Sequence, residues 1–504
     1  MAKTEQETVK RKTSTFREVY PIQEPYVYAA IIKDPETQKI RYQIIEPTLL
    51  EEEAQMLKEI KSILMKDIDV NLKEIETKEK AAAFLKQRIF EIIENYRLKI
   101  AEEAIDKLIY YIVRDFIYYG KIDPLMKDRM VEDISADGLN IPIYIWHREY
   151  ESLPTDITFK NERELNSFIV RLAYLSGKNI SLASPILDAS LPDGSRVQLT
   201  YGNEITRRGS TFTIRRFRFD PLTISDLISF NTLSSEMAAY FWYVIENRAS
   251  VLVAGGVASG KTTMLNCLSM FIKPELKIVS VEDTAELNLP HENWVPSVVR
   301  THFGQDKGLG TITLFDLLKA AVRQRPDFII VGEVRGAETY TLFQAMATGH
   351  LGMSTIHAES ADSVMNRLES EPMNIPRPLL AMIDALTIQL RTEIDGKPAR
   401  RTASVTEIVA LDPQTRELLT NDAFHWNPRE DSFEFTGHSH ILEKNMEAKG
   451  VTLEEIQGEL KRRRAVLEWI VERDLRGHTD VANVIREYHA NPDRIYRKAR
   501  MSRR

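Results

Sequence analysis

Apolar residues recur at helical spacing in a long stretch of the first quarter of the chain, after a short segment of a different pattern. Between Leu49 and Tyr119 there is neither glycine nor proline, and AAFLKQRIFEIIENY and IDKLIYYIVRDFIYY place apolar side chains along one face. The preceding stretch YVYAAIIKDPETQKIRYQII predicts instead a β-hairpin whose turn opens at Asp34. We therefore predict an amino-terminal extension over residues 1–119, built from a hairpin and long helices.

Short strands and one helix are predicted after this extension. IPIYIWHREY alternates like a half-buried strand, and RELNSFIVRLAYLSG has the spacing of an amphipathic helix. LPDGSRVQLTY and RRGSTFTIRRF read as strands beside glycine-containing turns. We predict an α+β domain over residues 120–225, with its boundary in the proline- and serine-containing segment from Phe219 to Ser235.

The remaining pattern, over residues 226–504, is strand, loop and helix in alternation. The apolar runs SVLVA, KIVSVED, FIIVG and GMSTIHA are separated by helical stretches, which is typical of a parallel sheet covered by helices. From VTLEEIQGELKRRR onward the pattern is helical again, and Lys461–Arg464 is predicted to lie on an exposed helix face. The predicted class is α/β, with a mostly parallel sheet, helices on both faces and a helical carboxy-terminal appendage.

Composition narrows the functional classes. The 504 residues carry a formal net charge of −7, which argues against a protein that grips nucleic acid by charge alone. One cysteine, Cys267, allows neither a disulfide framework nor a four-cysteine zinc site. No run approaches the roughly 18 apolar residues of a membrane span, and the start MAKTEQETVKRK does not resemble a signal peptide. We expect a cytoplasmic protein that meets a membrane only peripherally.

The stretch VLVAGGVASGKTTMLNCLSMF fits the phosphate-loop pattern G-x-x-x-x-G-K-[ST], with an apolar strand before it and an amphipathic helix after it. The glycines let backbone N–H groups surround a phosphate, Lys261 supplies a charge to the β- and γ-phosphates, and Thr262 offers its hydroxyl to Mg²⁺. The pattern predicts ATP and Mg²⁺ as ligands. The predicted nucleotide-binding residues are Gly255, Gly256, Ala258, Ser259, Gly260, Lys261, Thr262 and Thr263.

Acidic residues follow two of the other predicted strands. Glu333 ends FIIVGE and is our candidate for the base that orients the attacking water. Gly332 stands where many ATPases place an aspartate beside the metal's water shell, so an acid of the second strand would have to replace it. The candidates for that role are Glu282, Asp283 and Glu286, and the sequence does not decide among them.

Two histidines flank the last apolar run, in ATGHLGMSTIHAES. His357, at the exit of the predicted strand, is placed to sense the γ-phosphate. His350 precedes the strand and is either a second catalytic candidate or a packed or surface histidine.

Four motifs together resemble the type II/type IV secretion ATPase superfamily. GGVASGKTT, SVEDTAEL, RQRPDFIIVGEVRGAET and ATGHLGMSTIHAES are similar, in order and spacing, to that family's Walker A, Asp, Walker B and His boxes. The family's Walker B box carries Gly-Glu, which accounts for Gly332. The resemblance implies a RecA-like P-loop NTPase motor domain, a homohexameric ring, and ATP hydrolysis that powers secretion or assembly of pilus-like filaments.

The resemblance also extends to the predicted α+β domain. It implies that arginines of this domain reach the nucleotide phosphates, and the matching positions are Arg196 and Arg215, each of which could instead form a surface salt bridge. Arg335, in GEVRG, is expected to pair with a neighbouring acid rather than with phosphate. Further candidates for the phosphate contact are Arg207, Arg208 and Arg216.

Partners follow from the same resemblance. The chain lacks a four-cysteine module and has a long helical amino terminus, so it is more similar to the archaeal branch, whose members serve secretion, pili or archaella. We expect a polytopic membrane platform protein as partner and no nucleic acid. The six basic residues of the tail from Arg494 to Arg504 could contact anionic lipid or form a solvated end. Two other functions stay open: a RecA-like nucleic-acid translocase, and an assembly module in which nucleotide only locks subunit contacts.

Overall fold

The computed structural model describes residues 15–34, 38–67, 77–217, 220–300 and 311–501. The chain divides into two compact units, Met1–Phe217 and Arg218–Arg504. The predicted turn at Asp34-Pro35 lies partly outside the described residues. The predicted three-part division of the chain stays a prediction.

The first unit is organised around a nine-stranded sheet, with strand order β1-β2-β3-β6-β5-β4-β9-β8-β7. The strands of the predicted amino-terminal hairpin thus continue the sheet of the predicted α+β domain, through a parallel bridge between Tyr42 and Thr155. The first strand was not predicted from the sequence. The strands are β1 (Thr15–Gln23), β2 (Val27–Lys33), β3 (Ile40–Ile45), β4 (Val131–Ala136), β5 (Pro142–His147), β6 (Glu151–Thr158), β7 (Ile186–Ser190), β8 (Arg196–Thr200) and β9 (Thr211–Arg215).

A buried carboxylate ties β1 and β3 to the rest of this sheet. The hydroxyls of Tyr20 and Tyr42 donate to the same oxygen of Asp128, at 2.7 and 2.6 Å. His147 Nε2 lies 3.1 Å from the Tyr20 hydroxyl, and both His147 and Asp128 are buried. Burial of a carboxylate is tolerated when several donors satisfy it.

The predicted helices of the first unit are confirmed. Three of them share a small core of leucine and isoleucine side chains, including Leu57, Leu85 and Leu108, separate from the core beneath the sheet. This helical group is the counterpart of the glycine-free stretch. The helices are α1 (Glu51–Asp67), α2 (Lys78–Asn95), α3 (Glu102–Phe116), α4 (Asp123–Lys127) and α5 (Glu162–Leu175).

The second unit contains another nine-stranded sheet, with strand order β12-β11-β13-β14-β10-β15-β16-β17-β18. The pairs from β12 to β15 are parallel, and those from β15 to β18 are antiparallel. The predicted α/β class with a mostly parallel sheet is confirmed, although the antiparallel strands were not predicted. The strands are β10 (Val251–Gly255), β11 (Ile278–Glu282), β12 (Trp294–Val298), β13 (Phe328–Val331), β14 (Leu351–Ile356), β15 (Ala385–Ile394), β16 (Lys397–Leu411), β17 (Leu418–Asn427) and β18 (Ser432–Phe435).

Helices cover both faces of this sheet, because alternate residues of its central strand pack into two different cores. Val251 and Val253 of β10 belong to one core, and Leu252 and Ala254 to the other. The helices are α6 (Ile224–Ser229), α7 (Ser235–Glu246), α8 (Lys261–Ser269), α9 (Leu314–Arg323), α10 (Glu338–Ala347), α11 (Ala361–Glu369), α12 (Arg377–Leu380), α13 (His440–Lys449), α14 (Leu453–Glu472), α15 (His478–Ala490) and α16 (Pro492–Met501).

The carboxy-terminal appendage packs against α7 more closely than its charge predicts. The sequence predicts Lys461–Arg464 on an exposed face, but Arg463 is only 4% exposed. Its guanidinium donates to Glu246 on α7 at 2.7 Å and to Glu459 one helical turn earlier at 2.6 Å. The prediction is wrong for this residue, because Glu246 lies beneath α14 and attracts it inward. The described part of the basic tail, up to Met501, is also a packed helix, α16, with Ile495 and Ala499 buried; the rest of the tail lies outside the described residues.

Candidate nucleotide-binding and hydrolysis site

The phosphate-loop motif forms the turn between β10 and α8. Gly255 ends the strand, and a Cβ on it would lie 2.4 Å from the carbonyl oxygen of Gln389 on β15, so only glycine fits. Gly260 precedes α8 with φ at +92°, a left-handed conformation that glycine adopts without strain. No side chain among the described residues caps the start of α8, so its first N–H groups remain available to an anion.

Lys261 points its ammonium group back into this turn. Nζ donates to the carbonyl oxygen of Gly256 at 2.6 Å and lies 3.3 Å from Nδ1 of His357. Burial lowers the pKa of Lys261, while the charges of Glu333 and Glu286 act to raise it. A half-desolvated ammonium held by one carbonyl and an imidazole is prepared to exchange these partners for phosphate oxygens.

His357 links Lys261 to Glu333. Its Nε2 lies 3.4 Å from Oε1 of Glu333. Burial and the charge of Lys261 lower the pKa of His357, while Glu333 acts to raise it, so the ring is neutral near neutral pH. An ammonium only donates and a carboxylate only accepts hydrogen bonds. A neutral ring with its hydrogen on Nε2 can accept from Lys261 at Nδ1 and direct its N–H toward Glu333.

Strand order explains why these three side chains meet. The strand that carries Glu333, β13, is not adjacent to β10, because β14 lies between them. His357 follows β14 directly, and the exits of parallel strands lie at one edge of the sheet. The histidine therefore occupies the gap between the phosphate loop and Glu333.

The three acids after β11 have different environments. Glu282 is buried, and its Oε1 accepts from the backbone N–H groups of Glu286 and Leu287 at 2.9 and 3.0 Å. Burial raises the pKa of Glu282 to about 7, although these two hydrogen bonds act to lower it. Asp283 pairs with Arg335, so the predicted pairing of Arg335 with an acid is present. Glu286 is exposed, and its charge acts on Lys261.

The space beside Gly332 is filled by Glu282. A Cβ on Gly332 would lie 3.2 Å from Cγ of Glu282 and 3.6 Å from its Cβ. A side chain at position 332 would thus crowd the glutamate of the neighbouring strand, which would have to shift by a few tenths of an ångström. A carboxyl group of β11 thus lies beside the position at which many ATPases carry an aspartate on the Walker B strand.

This close contact predicts that enlarging Gly332 destabilises the second unit. We expect Gly332→Ala to lower the free energy of unfolding by about 1–2 kcal/mol, because a crowded site must shift to accept a methyl group. Gly458 in α14 is the matched control, since a Cβ there meets nothing within 4 Å. Gly458→Ala should instead stabilise by up to about 1 kcal/mol. Urea unfolding of both variants measures the difference, and equal shifts would contradict the crowding.

The residues near the loop fit a magnesium ion that arrives with a nucleotide. Thr262 lies in the first turn of α8, and Glu286 lies near enough to Lys261 to affect its pKa. Within the described part of the chain, no group of three or more His, Cys, Asp or Glu residues is arranged as a metal cage. Mg²⁺ commonly takes one or two protein ligands and completes its shell with phosphate oxygens and water.

The structure does not bring His350 to this site. His350 precedes β14, whose first residue, Leu351, pairs with Phe328 at the start of β13. The side chain is therefore at the opposite edge of the sheet from His357 and Glu333, about 20 Å away for a seven-residue extended strand. His350 was predicted as either a second catalytic residue or a packed or surface histidine. The geometry favours a packed histidine, because its Nε2 is buried.

The predicted arginines of the first unit are neighbours on its sheet. Arg196 and Arg215 are directly opposite each other on β8 and β9. Their side chains lie near Asp188 and Asp133, at 3.5 and 3.8 Å. Contact of these arginines with nucleotide phosphates stays a prediction.

Two charged residues beside the phosphate loop were not predicted from the sequence. Oε1 of Glu359 lies 2.8 Å from the position of a Cβ on Gly256. Arg400, on β16, donates from Nε to the carbonyl oxygen of Ala258 at 3.2 Å. Glu359 could have been suspected from its place two residues after His357, but nothing in the local sequence connects Arg400 with the loop.

Comparison with known proteins agrees with the motifs. A family model described as "Type II/IV secretion system protein" matches residues 119–486. An uncharacterised protein of Methanocaldococcus jannaschii is 36% identical over 493 residues, which cover 93% of this chain and 88% of the relative.

Solved structures give weaker likenesses. The ATPase DotB of Legionella pneumophila is 16% identical with a TM-score of 0.41, over 74% of this chain and 92% of DotB. The pilus retraction motor PilT with bound ADP is 19% identical with a TM-score of 0.40, over 66% of this chain and 88% of PilT.

Proposed function

This chain belongs to the type II/IV secretion system protein family, and on that premise we propose that it is a motor ATPase that hydrolyses ATP to power protein secretion or the assembly of pilus-like filaments. The main observation behind the proposal is the contact of Lys261 with His357 and of His357 with Glu333. These contacts link the phosphate loop after β10 to a carboxylate after β13, two strands away in the sheet. Such a series of contacts is suited to hydrolysis of the phosphoanhydride bond between the β- and γ-phosphates of ATP.

The roles of the residues follow from their positions. The loop N–H groups and Lys261 bind the β- and γ-phosphates, and Glu333 orients the attacking water and accepts its proton. His357 orients Glu333 through Nε2. When Lys261 turns toward the phosphates, protonation of Nδ1 would let His357 donate to the terminal phosphate. When bound, Mg²⁺ neutralises phosphate charge, and Thr262 and Glu286 would hold it and its water shell.

Arg335 can transmit a displacement of Glu333 to the loop after β11. Glu333 and Arg335 are two residues apart after β13, and Arg335 pairs with Asp283 after β11. A shift of Glu333 on hydrolysis therefore acts on the loop that also carries Glu286. In the proposed motor, this connection transmits the nucleotide state to the rest of the second unit.

The working form that we propose is a homohexameric ring at the cytoplasmic face of a membrane, bound to a polytopic platform protein. None of the described helices has the length and apolar character to cross a membrane. On α16, Arg494, Arg497 and Arg500 are exposed while Ile495 faces the core, so this helix can offer positive charge to anionic lipid.

The test is phosphate release by the purified full-length chain, together with its mass in solution. We expect slow ATP-dependent phosphate release and a particle of about 350 kDa, six times the chain's 58.0 kDa. Strong stimulation by DNA would favour a nucleic-acid translocase. Nucleotide-dependent assembly without phosphate release would favour a module in which the nucleotide only locks subunit contacts.

A further inference from the structure

A projecting β-ribbon runs alongside the phosphate loop. Strand β15 pairs with β10 only as far as Gln389, opposite Gly255, and then continues to Ile394. The free part pairs with the start of β16, so β15 and β16 together extend past the edge of the sheet. Residues of this ribbon can therefore contact a ligand that lies on the loop.

Two arginines face each other across this ribbon. Arg391 and Arg400 are direct cross-strand partners, which places their side chains on the same face. Two guanidinium groups on one face give this part of the ribbon several donors for an anion. The next residue along β16, Arg401, is buried and pairs with Asp431, as expected for the opposite face.

Arg400 contacts the outer side of the loop. Its Nε donates to the carbonyl oxygen of Ala258 at 3.2 Å, and its Cδ lies 3.4 Å from the position of a Cβ on Gly260. A neutral carbonyl is a weaker partner for a guanidinium than a phosphate oxygen. The side chain is half-buried, so it is held near the loop without being enclosed.

The order of strands separates Arg400 from the hydrolytic residues. Glu333 and His357 lie on the β14 side of β10, whereas Arg400 lies on the β15 side. Lys261, which binds the β- and γ-phosphates, already lies against His357. A triphosphate with its terminal phosphate on the β14 side extends across the loop, so its α-phosphate end comes to the β15 side.

From this geometry we propose that Arg400 is a nucleotide-binding residue that holds the α-phosphate end of ADP and ATP, exchanging the Ala258 carbonyl for a phosphate oxygen. This inference rests on the proposed function. Arg400 then contributes to nucleotide affinity rather than to the hydrolytic step, because the α-phosphate is present in both ATP and ADP.

The test compares Arg400→Ala with wild type in the full-length chain, by calorimetric titration with ADP and with ATP and by steady-state kinetics. We expect both dissociation constants to rise about tenfold, the loss of one charge-assisted contact, with KM rising similarly and kcat changing far less. Arg400→Lys keeps the positive charge but loses the paired N–H donors of the guanidinium, so it should recover part of the nucleotide affinity. Arg429→Ala, an exposed arginine in the β17–β18 turn, is the control and should bind like wild type.

Three outcomes decide the inference. Equal loss of ADP and ATP affinity, with the thermal midpoint of the ligand-free protein unchanged, supports it. Loss of ATP affinity alone would place Arg400 at the γ-phosphate, and unchanged affinity for both would remove it from the site; either result overturns the proposal. A wild-type chain that binds neither nucleotide would overturn the proposed function itself, so the two failures are distinguishable.

Discussion

Glu333→Gln is expected to lower ATP turnover about a thousandfold while ATP binding survives. Loss of a general base typically costs between a hundredfold and ten-thousandfold in rate. The amide has nearly the same shape as the carboxylate, so the loop and Lys261 should bind the triphosphate as before. Phosphate release and nucleotide titration of the same preparation measure the two quantities separately.

Two comparison variants sharpen this result. Lys261→Ala removes the charge from the loop, so we expect loss of binding and turnover together, unlike Glu333→Gln. Glu292→Gln changes an exposed acid on a loop after β11 and should leave both intact. If Glu333→Gln hydrolyses ATP at the normal rate, Glu333 is not the base, and Glu286 becomes the next candidate.

Glu246→Gln is expected to destabilise the second unit by about 3 kcal/mol at pH 7, and by much less in acid. Burial alone would raise the pKa of Glu246, but the hydrogen bond with His489 and the charge and hydrogen bond of Arg463 outweigh it and lower the pKa to about 2. Because the folded-state pKa lies below the ordinary value of 4.5, the carboxylate stabilises the fold above pH 4.5. That contribution is lost as the pH falls from 4.5 to 2.

The measurement is denaturant unfolding of wild type and variant at several pH values between 7 and 3. By pH 3 the difference should shrink to about half or less. Glu236→Gln, on the same helix, is the matched control, because the ion pair of Glu236 with Arg464 at 3.7 Å is exposed and should contribute about 0–1 kcal/mol. If the difference in free energy of unfolding between wild type and Glu246→Gln stays constant over this pH range, then shape rather than charge accounts for the destabilisation.

The parts of the site that lie within one continuous segment of the chain could be predicted from the local sequence. The glycines, Lys261 and Thr262 fall within one strand-loop-helix segment, so spacing alone was sufficient. Apolar runs likewise predicted the strands that carry Glu333 and His357. The same reasoning placed His350 among the candidates, but a strand of six residues separates it from His357.

Contacts that depend on pairing between distant segments could not be predicted. The ribbon of β15 and β16 has a register shift between Ile388 and Gln389, and such irregularities leave no clear signature in the alternation of side chains. Arg400 reaches the loop only because of that register. Arg463 is buried for a similar reason: Glu246, far away in sequence, lies beneath it.

The packing of Glu282 against Gly332 couples the two positions, because a side chain at position 332 requires Glu282 to move by a few tenths of an ångström. We therefore expect substitutions at 332 and 282 to be non-additive, with a shorter residue at position 282 offsetting part of the cost of a larger one at position 332.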